Sequence, residues 1–249
     1  MNESYVGDVG DFSKFALLRR LSACAGQAGL HAKTAVLWWA TRVGGGKGRD
    51  GRHTGYVDCP LFQRADPGLV EALRAVQAAR SLASLEAASL LKNVCFHREF
   101  IDGAEPRSAR ERPACRKVWL EGARRSASGA QFVFFDPDNG LASCSVTRSQ
   151  QRAKKSVFAD EMGRVAEASQ TVILYHHATR RPVAEEVAWL REQVSRALPE
   201  HGAPRVWRAP RWSPRYYVVA PASDHASVVD AVAETFRRHE WSRILEEMA

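Results

Sequence analysis

The residues with the clearest chemical potential stand at Asp136-Pro137-Asp138-Asn139-Gly140, directly after the apolar run Phe132–Phe135. Four hydrophobic residues in succession read as a buried strand, which then delivers two carboxylates and an amide into a turn. Pro, Asn and Gly are what a tight turn demands: fixed φ, a side chain that bonds its own backbone, and freedom to take positive φ. The acids are not explained that way. A carboxylate at the edge of a buried strand needs a counter-charge, a metal or a proton, and Asp136 is therefore the first candidate for catalysis. Asp138 makes a D-x-D pair with it, and hard divalent ions such as magnesium use carboxylates together with phosphate oxygens. Asp8, Asp11 and Glu161 could add to such a set. One function class is thus a Mg2+-dependent nuclease or phosphoryl-transfer enzyme built on Asp136 and Asp138.

A second group lies in "YVGDVGDFSKFALLRRL" (5–21). The stretch 11–26 reads as a helix capped by Asp11, with Lys14 on the same face as Leu17, Leu18, Leu21 and Cys24. Such a lysine either snorkels past the helix end or meets an anion in a cleft, helped by the positive helix terminus. A third group, "GGGKGRDGRHTGY" (44–56), has the glycine density of a phosphate or ribose cradle. No Gly-Lys-Ser/Thr closes it, so it is not a Walker A loop, and a surface loop explains it equally. Asp50, Arg52 and His53 at its end are the polar residues expected to be organised. A fourth, "TVILYHH" (171–177), ends a strand on Tyr175, His176 and His177. Adjacent histidines on a strand point to opposite faces, so at most one serves a given site. Tyr175 could stack on a base and Arg180 hold a phosphate.

Strand-like runs at 34–40, 93–101, 131–136 and 171–177 alternate with helical patterns at 66–91, 115–127, 159–169 and 182–198. The 66–91 pattern breaks near Arg80-Ser81. Such alternation requires crossover connections and a mostly parallel sheet. Two close runs, "RVWRAP" and "RYYVVAP", read as an antiparallel C-terminal hairpin ahead of a last helix. The expected fold is therefore α/β, in one domain over 1–249, with ligands beyond the carboxyl ends of the strands. No apolar run reaches the length of a membrane span, and the start of the chain lacks the basic-then-apolar order of a signal peptide. Five scattered cysteines without a C-x-x-C pair suit free thiols in a reducing cytoplasm. A formal charge of +8, concentrated in arginine-rich clusters, favours a polyanionic partner.

In their order along the chain these pieces resemble a class I S-adenosylmethionine-dependent methyltransferase. More distantly they look like the bacterial ribosomal-RNA methyltransferases that modify the exocyclic amine of adenine. "GDFSKFALL" (10–18), "FFDPDNGL" (134–141) and "ILYHHATR" (173–180) carry the likeness, which spans roughly residues 5 to 220. Asp138 and Asn139 stand where that family has a second proline and an aromatic residue, and no acid accompanies the glycines of "LWWATRVGGG". The G-D-x-x-D, D-G-R-H and D-P-D-N-G stretches are also similar to a family of uncharacterised proteins. The resemblance implies a Rossmann-like three-layer sandwich and methyl transfer from S-adenosylmethionine to an amine of a nucleic-acid base or a related nucleophile. Asp136 and the Pro137 carbonyl would accept hydrogen bonds from the target amine, with Asp138, Asn139, Tyr175 and His176 completing the catalytic set. Lys14 would bind the cofactor carboxylate and Glu99 a ribose, and Asp11, Trp39, Gly44, Asp50 and His53 would be the other cofactor-binding positions. It implies no metal ligand. Its partners would be nucleic acid, RNA before DNA, or a small amine, with the basic clusters tracking phosphates.

Overall fold

A computed structural model describes residues 3–41, 51–101 and 108–249. Helices flank a seven-stranded, mostly parallel sheet, an α/β architecture consistent with a Rossmann-like fold. In chain order the strands are β1 (Thr34–Trp38), β2 (Val94–His97), β3 (Phe132–Asp136), β4 (Gly140–Leu141), β5 (Ser156–Val157), β6 (Thr171–His177), β7 (Arg205–Ala209), β8 (Arg215–Ala220) and β9 (Glu246–Met248). The large sheet runs β2-β1-β3-β6-β8-β7-β9, and β4 pairs separately with β5. The pairs β2–β1, β1–β3 and β3–β6 are parallel, and β8 is antiparallel to both β6 and β7. The reversed strand β8 therefore lies inside the sheet, between β6 and β7. The edge is taken by β9, whose three residues carried no readable strand pattern.

Helix α1 (Val9–Gln27) is capped three residues before the cap expected at Asp11. Asp8 is the N-cap, accepting from the Gly10 amide, and Asp11 sits inside the first turn. The helical stretch 66–91 divides where Arg80 takes φ +45°, into α3 (Pro67–Ala79) and α4 (Leu82–Ala87), after a short α2 (Pro60–Ala65). The remaining helices are α5 (Arg112–Ala127), α6 (Ala159–Val165), α7 (Val183–Ala197) and α8 (Ala226–Phe236).

Alternation along the strands feeds two cores. Val36, Trp38, Phe132, Phe134, Ile173 and Tyr217 pack with α1, α3 and α8. Leu37, Trp39, Val133, Phe135, Leu174 and Val218 pack with α5, α6 and α7. Phe132 to Phe135 are wholly buried, each worth about 1.5–3 kcal/mol of transfer free energy. That burial fixes β3 and hence where Asp136 emerges. Among the described residues no helix is long and apolar enough to cross a membrane.

Candidate functional site

A cavity of about 240 Å3 opens beyond the carboxyl ends of β3 and β6. It lies beside the place where chain order reverses, since β1 leads outward to β2 and the chain then returns to β3 on the other side. Open α/β sheets bind ligands at such a place. The head of α1, the Asp136–Asn139 turn, His53, and the Ser213–Arg215 approach to β8 form its walls.

Asp136 is opposite Trp38 in the β1–β3 register and 3% exposed. Its Oδ2 accepts a 2.8 Å hydrogen bond from Lys14 Nζ, which also donates to Asp11 Oδ1 at 3.1 Å. The ammonium lies over the Trp38 ring, 5.0 Å from its centre. Asp11 Oδ2 in turn accepts from the Gly7 amide at 2.8 Å. Two carboxylates therefore share one ammonium in a buried place. Burial pulls the Lys14 ammonium down, but Asp136 and Asp11 outweigh it and hold the group above the ordinary lysine value. Burial pushes Asp136 up, with Lys14 opposing, and the trio's excess negative charge favours proton uptake. Asp11 is raised for the same reasons, with Asp8 adding to the effect.

Around this trio stand groups that the sequence did not single out. Tyr217 on β8 shares a 2.8 Å hydrogen bond with Ser13 and donates to the Gly10 carbonyl at 3.2 Å. Arg215 lies 3.6 Å from Asp8. Its guanidinium occupies the space over Gly10, where a Cβ would come within 1.5 Å of Nη1. Glycine at 10 is thus what lets β8 close on α1. Burial pushes the Tyr217 phenol up to about 12, Arg215 opposing.

Tyr217 and Lys14 act in the same direction with pH. Both have folded values above their unfolded ones, so the stability they contribute is complete below pH about 10 and is lost as pH rises through the folded values. Urea unfolding should show stability falling by on the order of 2–3 kcal/mol between pH 9 and 12 from Tyr217 alone. A Tyr217→Phe variant should show a flatter decline. An identical slope in both proteins would contradict this assignment.

The turn is held from behind. Gly140 has φ +90°, and a Cβ there would approach His176 Nδ1 to 2.3 Å. His176 Nδ1 accepts from the Leu141 amide at 3.0 Å, which leaves Nε2 to donate to Glu186 Oε1 at 2.9 Å. Burial would raise Glu186, but the bonds from His176 and Thr179 and the charge of Arg181 hold it below the ordinary value. His176 therefore supports the turn and does not reach the cavity. Its neighbours Tyr175 and His177 line the wall instead, as strand alternation requires. Asn139 donates its amide to the Lys155 carbonyl at 2.8 Å, and Lys155 Nζ lies 3.8 Å from Asp138.

Of the residues expected at the site, the fold gathers Asp11, Lys14, His53, Asp136, Pro137, Asp138, Asn139 and Tyr175 around one cavity. Trp39 points the other way, into the second core, 4.3 Å from the Trp119 ring. Glu99 is exposed beside α5, its carbonyl accepting from Trp119 Nε1. Gly44 and Asp50 lie outside the described residues. Lys14 does meet anions, the carboxylates of Asp11 and Asp136.

No family model, curated protein or solved structure matches this chain.

Of the carboxylates expected to hold magnesium, Asp8, Asp11, Asp136 and Asp138 line the cavity and Glu161 does not. Glu161 is fully buried against Arg116 at 2.6 Å, away from the cavity, and the Lys14 ammonium takes the place between Asp11 and Asp136 that a cation would need. Among the described residues no group of three or more His, Cys, Asp or Glu is placed to hold a metal ion.

Proposed function

We propose that this protein transfers a methyl group from S-adenosylmethionine to an amine, with Asp136 and the Pro137 carbonyl receiving the amine's N–H groups. One observation carries the reading: Asp136 is buried, proton-hungry and aimed into a cavity at the reversal of strand order, its Oδ2 engaged by Lys14. The architecture it requires is a Rossmann-like three-layer sandwich closed by an antiparallel C-terminal hairpin. The reversed β8 between β6 and β7 is in keeping with that.

The cavity chemistry fits. Asp8, Asp11, Asp136 and Asp138 face the cations of Lys14 and Arg215, so the described walls are net negative with the histidines neutral. Such a wall favours positive charge and N–H donors over phosphate. S-adenosylmethionine carries a sulfonium and an ammonium, and when bound would supply an electrophilic methyl group. Asp11, His53 and the aromatic wall of Tyr5 are the described residues placed to hold it.

What the chain contributes is orientation and charge. An amine donating to Asp136 Oδ1 and to the Pro137 carbonyl has its lone pair turned away from both, the alignment that substitution at nitrogen requires. As that nitrogen gains positive charge, the Asp136 carboxylate stabilises it and takes its proton, for which a raised carboxyl value is suited. Lys14 keeps Asp136 in place. The substrate is a nucleic acid, RNA ahead of DNA, or a small amine, the net charge of +8 favouring the former.

Calorimetric titration tests the premise. S-adenosylmethionine should give saturable heat and raise the melting temperature, while magnesium or manganese chloride alone should give neither. Heat with the metals and none with S-adenosylmethionine would overturn the proposal.

A further inference from the structure

The segment between β7 and β8 places Trp212 at the rim of the cavity, immediately before the lining residue Ser213 and three residues ahead of Arg215. Its backbone has φ +60°, in the left-handed region, and 49% of the residue is exposed. For a bulky side chain that backbone is a strained outlier. An exposed indole also forgoes most of the gain of burial. Two penalties fall on one residue, and glycine would satisfy the same turn without either.

The ring is nevertheless held firmly. It stacks on buried Phe62, centres 5.6 Å apart at 22°, and lies at 14° to His53 of the cavity wall, 6.4 Å away. Beneath it the Ser213 amide donates to the Arg211 carbonyl at 2.8 Å, Arg211 Nε to the Arg243 carbonyl at 3.0 Å, and Arg215 Nε to the Ser213 carbonyl at 2.9 Å. A flat, half-open aromatic surface therefore stands beside His53 of the cavity wall. Arg211 immediately precedes it.

We infer that Trp212 is a stacking residue for a nucleobase of a single-stranded nucleic acid, which it steers into the Asp136 cavity. The inference rests on the amine-directed reading above and supplies its substrate class. Indole faces bind bases with little sequence preference, and the neighbouring Arg211 suits an adjoining phosphate. The backbone strain is then the cost of presenting the ring outward.

Fluorescence anisotropy with a labelled single-stranded RNA 10-mer, and with an abasic 10-mer of equal charge, tests this. Trp212→Gly should weaken binding of the RNA about tenfold, leave abasic binding unchanged, and melt no lower than the parent protein. Trp212→Phe should keep affinity within about threefold by retaining a flat ring. Equal loss on both oligomers, parental RNA affinity in the glycine variant, or no RNA binding by the parent would each overturn it, the last pointing to a protein ligand. The measurement needs no S-adenosylmethionine, so its failure and that of methyl transfer are separable.

Discussion

Replacing Lys14 by methionine should remove about 3–5 kcal/mol of folding stability. The side chain is 3% exposed and its ammonium is shared by two buried carboxylates, at 2.8 and 3.1 Å. Methionine fills similar volume, so the loss would come from charge and not from a cavity. Asp11 and Asp136 would then face each other without a counter-ion, and each would have to take a proton or draw in water. If that is the cause, adding Asp136→Asn to Lys14→Met should restore at least about 1 kcal/mol, because one orphaned charge disappears. Urea unfolding at pH 8 of the two singles and the double measures it. Strict additivity would show that Lys14 acts through packing alone.

Asp136→Ala should lower the rate of methyl transfer by on the order of 10²–10³, the range found when one preorganised electrostatic partner of a transition state is removed. Stability should change little, because Lys14 keeps Asp11 as its partner. Asp136→Asn separates the two duties of the carboxylate. The amide still offers an acceptor to the amine but cannot take a proton, so its rate should fall between the parent and alanine forms, and its acidic pH limb should vanish. Parental activity in Asp136→Ala would remove this residue from the chemistry altogether.

Much of the site could be read from residue types because buried charge is conspicuous in an apolar setting. Asp136 after four apolar residues and Lys14 on a leucine face are each improbable without a partner, and each turned out to be the other's. Orientation was harder to read. Trp39 was expected in the site, but the ring beneath Lys14 is that of Trp38, one residue away, since strand parity decides which of the two faces α1. His176 was likewise expected where Tyr175 and His177 stand, and parity alone would have paired those two. Arg215 and Tyr217 gave a weaker signal, an arginine opening the apolar run Tyr216–Ala220, and nothing local said that this strand returns to α1. The cap of α1 was read at Asp11 and lies at Asp8. Asp8 takes the role because Asp11 is held by Lys14 and the Gly7 amide.

The closure of the cavity joins distant parts of the chain. Ser13 and Tyr217 are 204 residues apart, Gly10 and Tyr217 are 207 apart, and Lys14 reaches 122 residues to Asp136. Contacts of such range are slow to form, because the intervening loop entropy must be overcome first. During synthesis α1 would emerge with its aspartates and lysine still hydrated, and Ser13 would wait for a wall whose Tyr217 lies 204 residues further along the chain. A chain interrupted between the two would carry the pocket's charges without its shape.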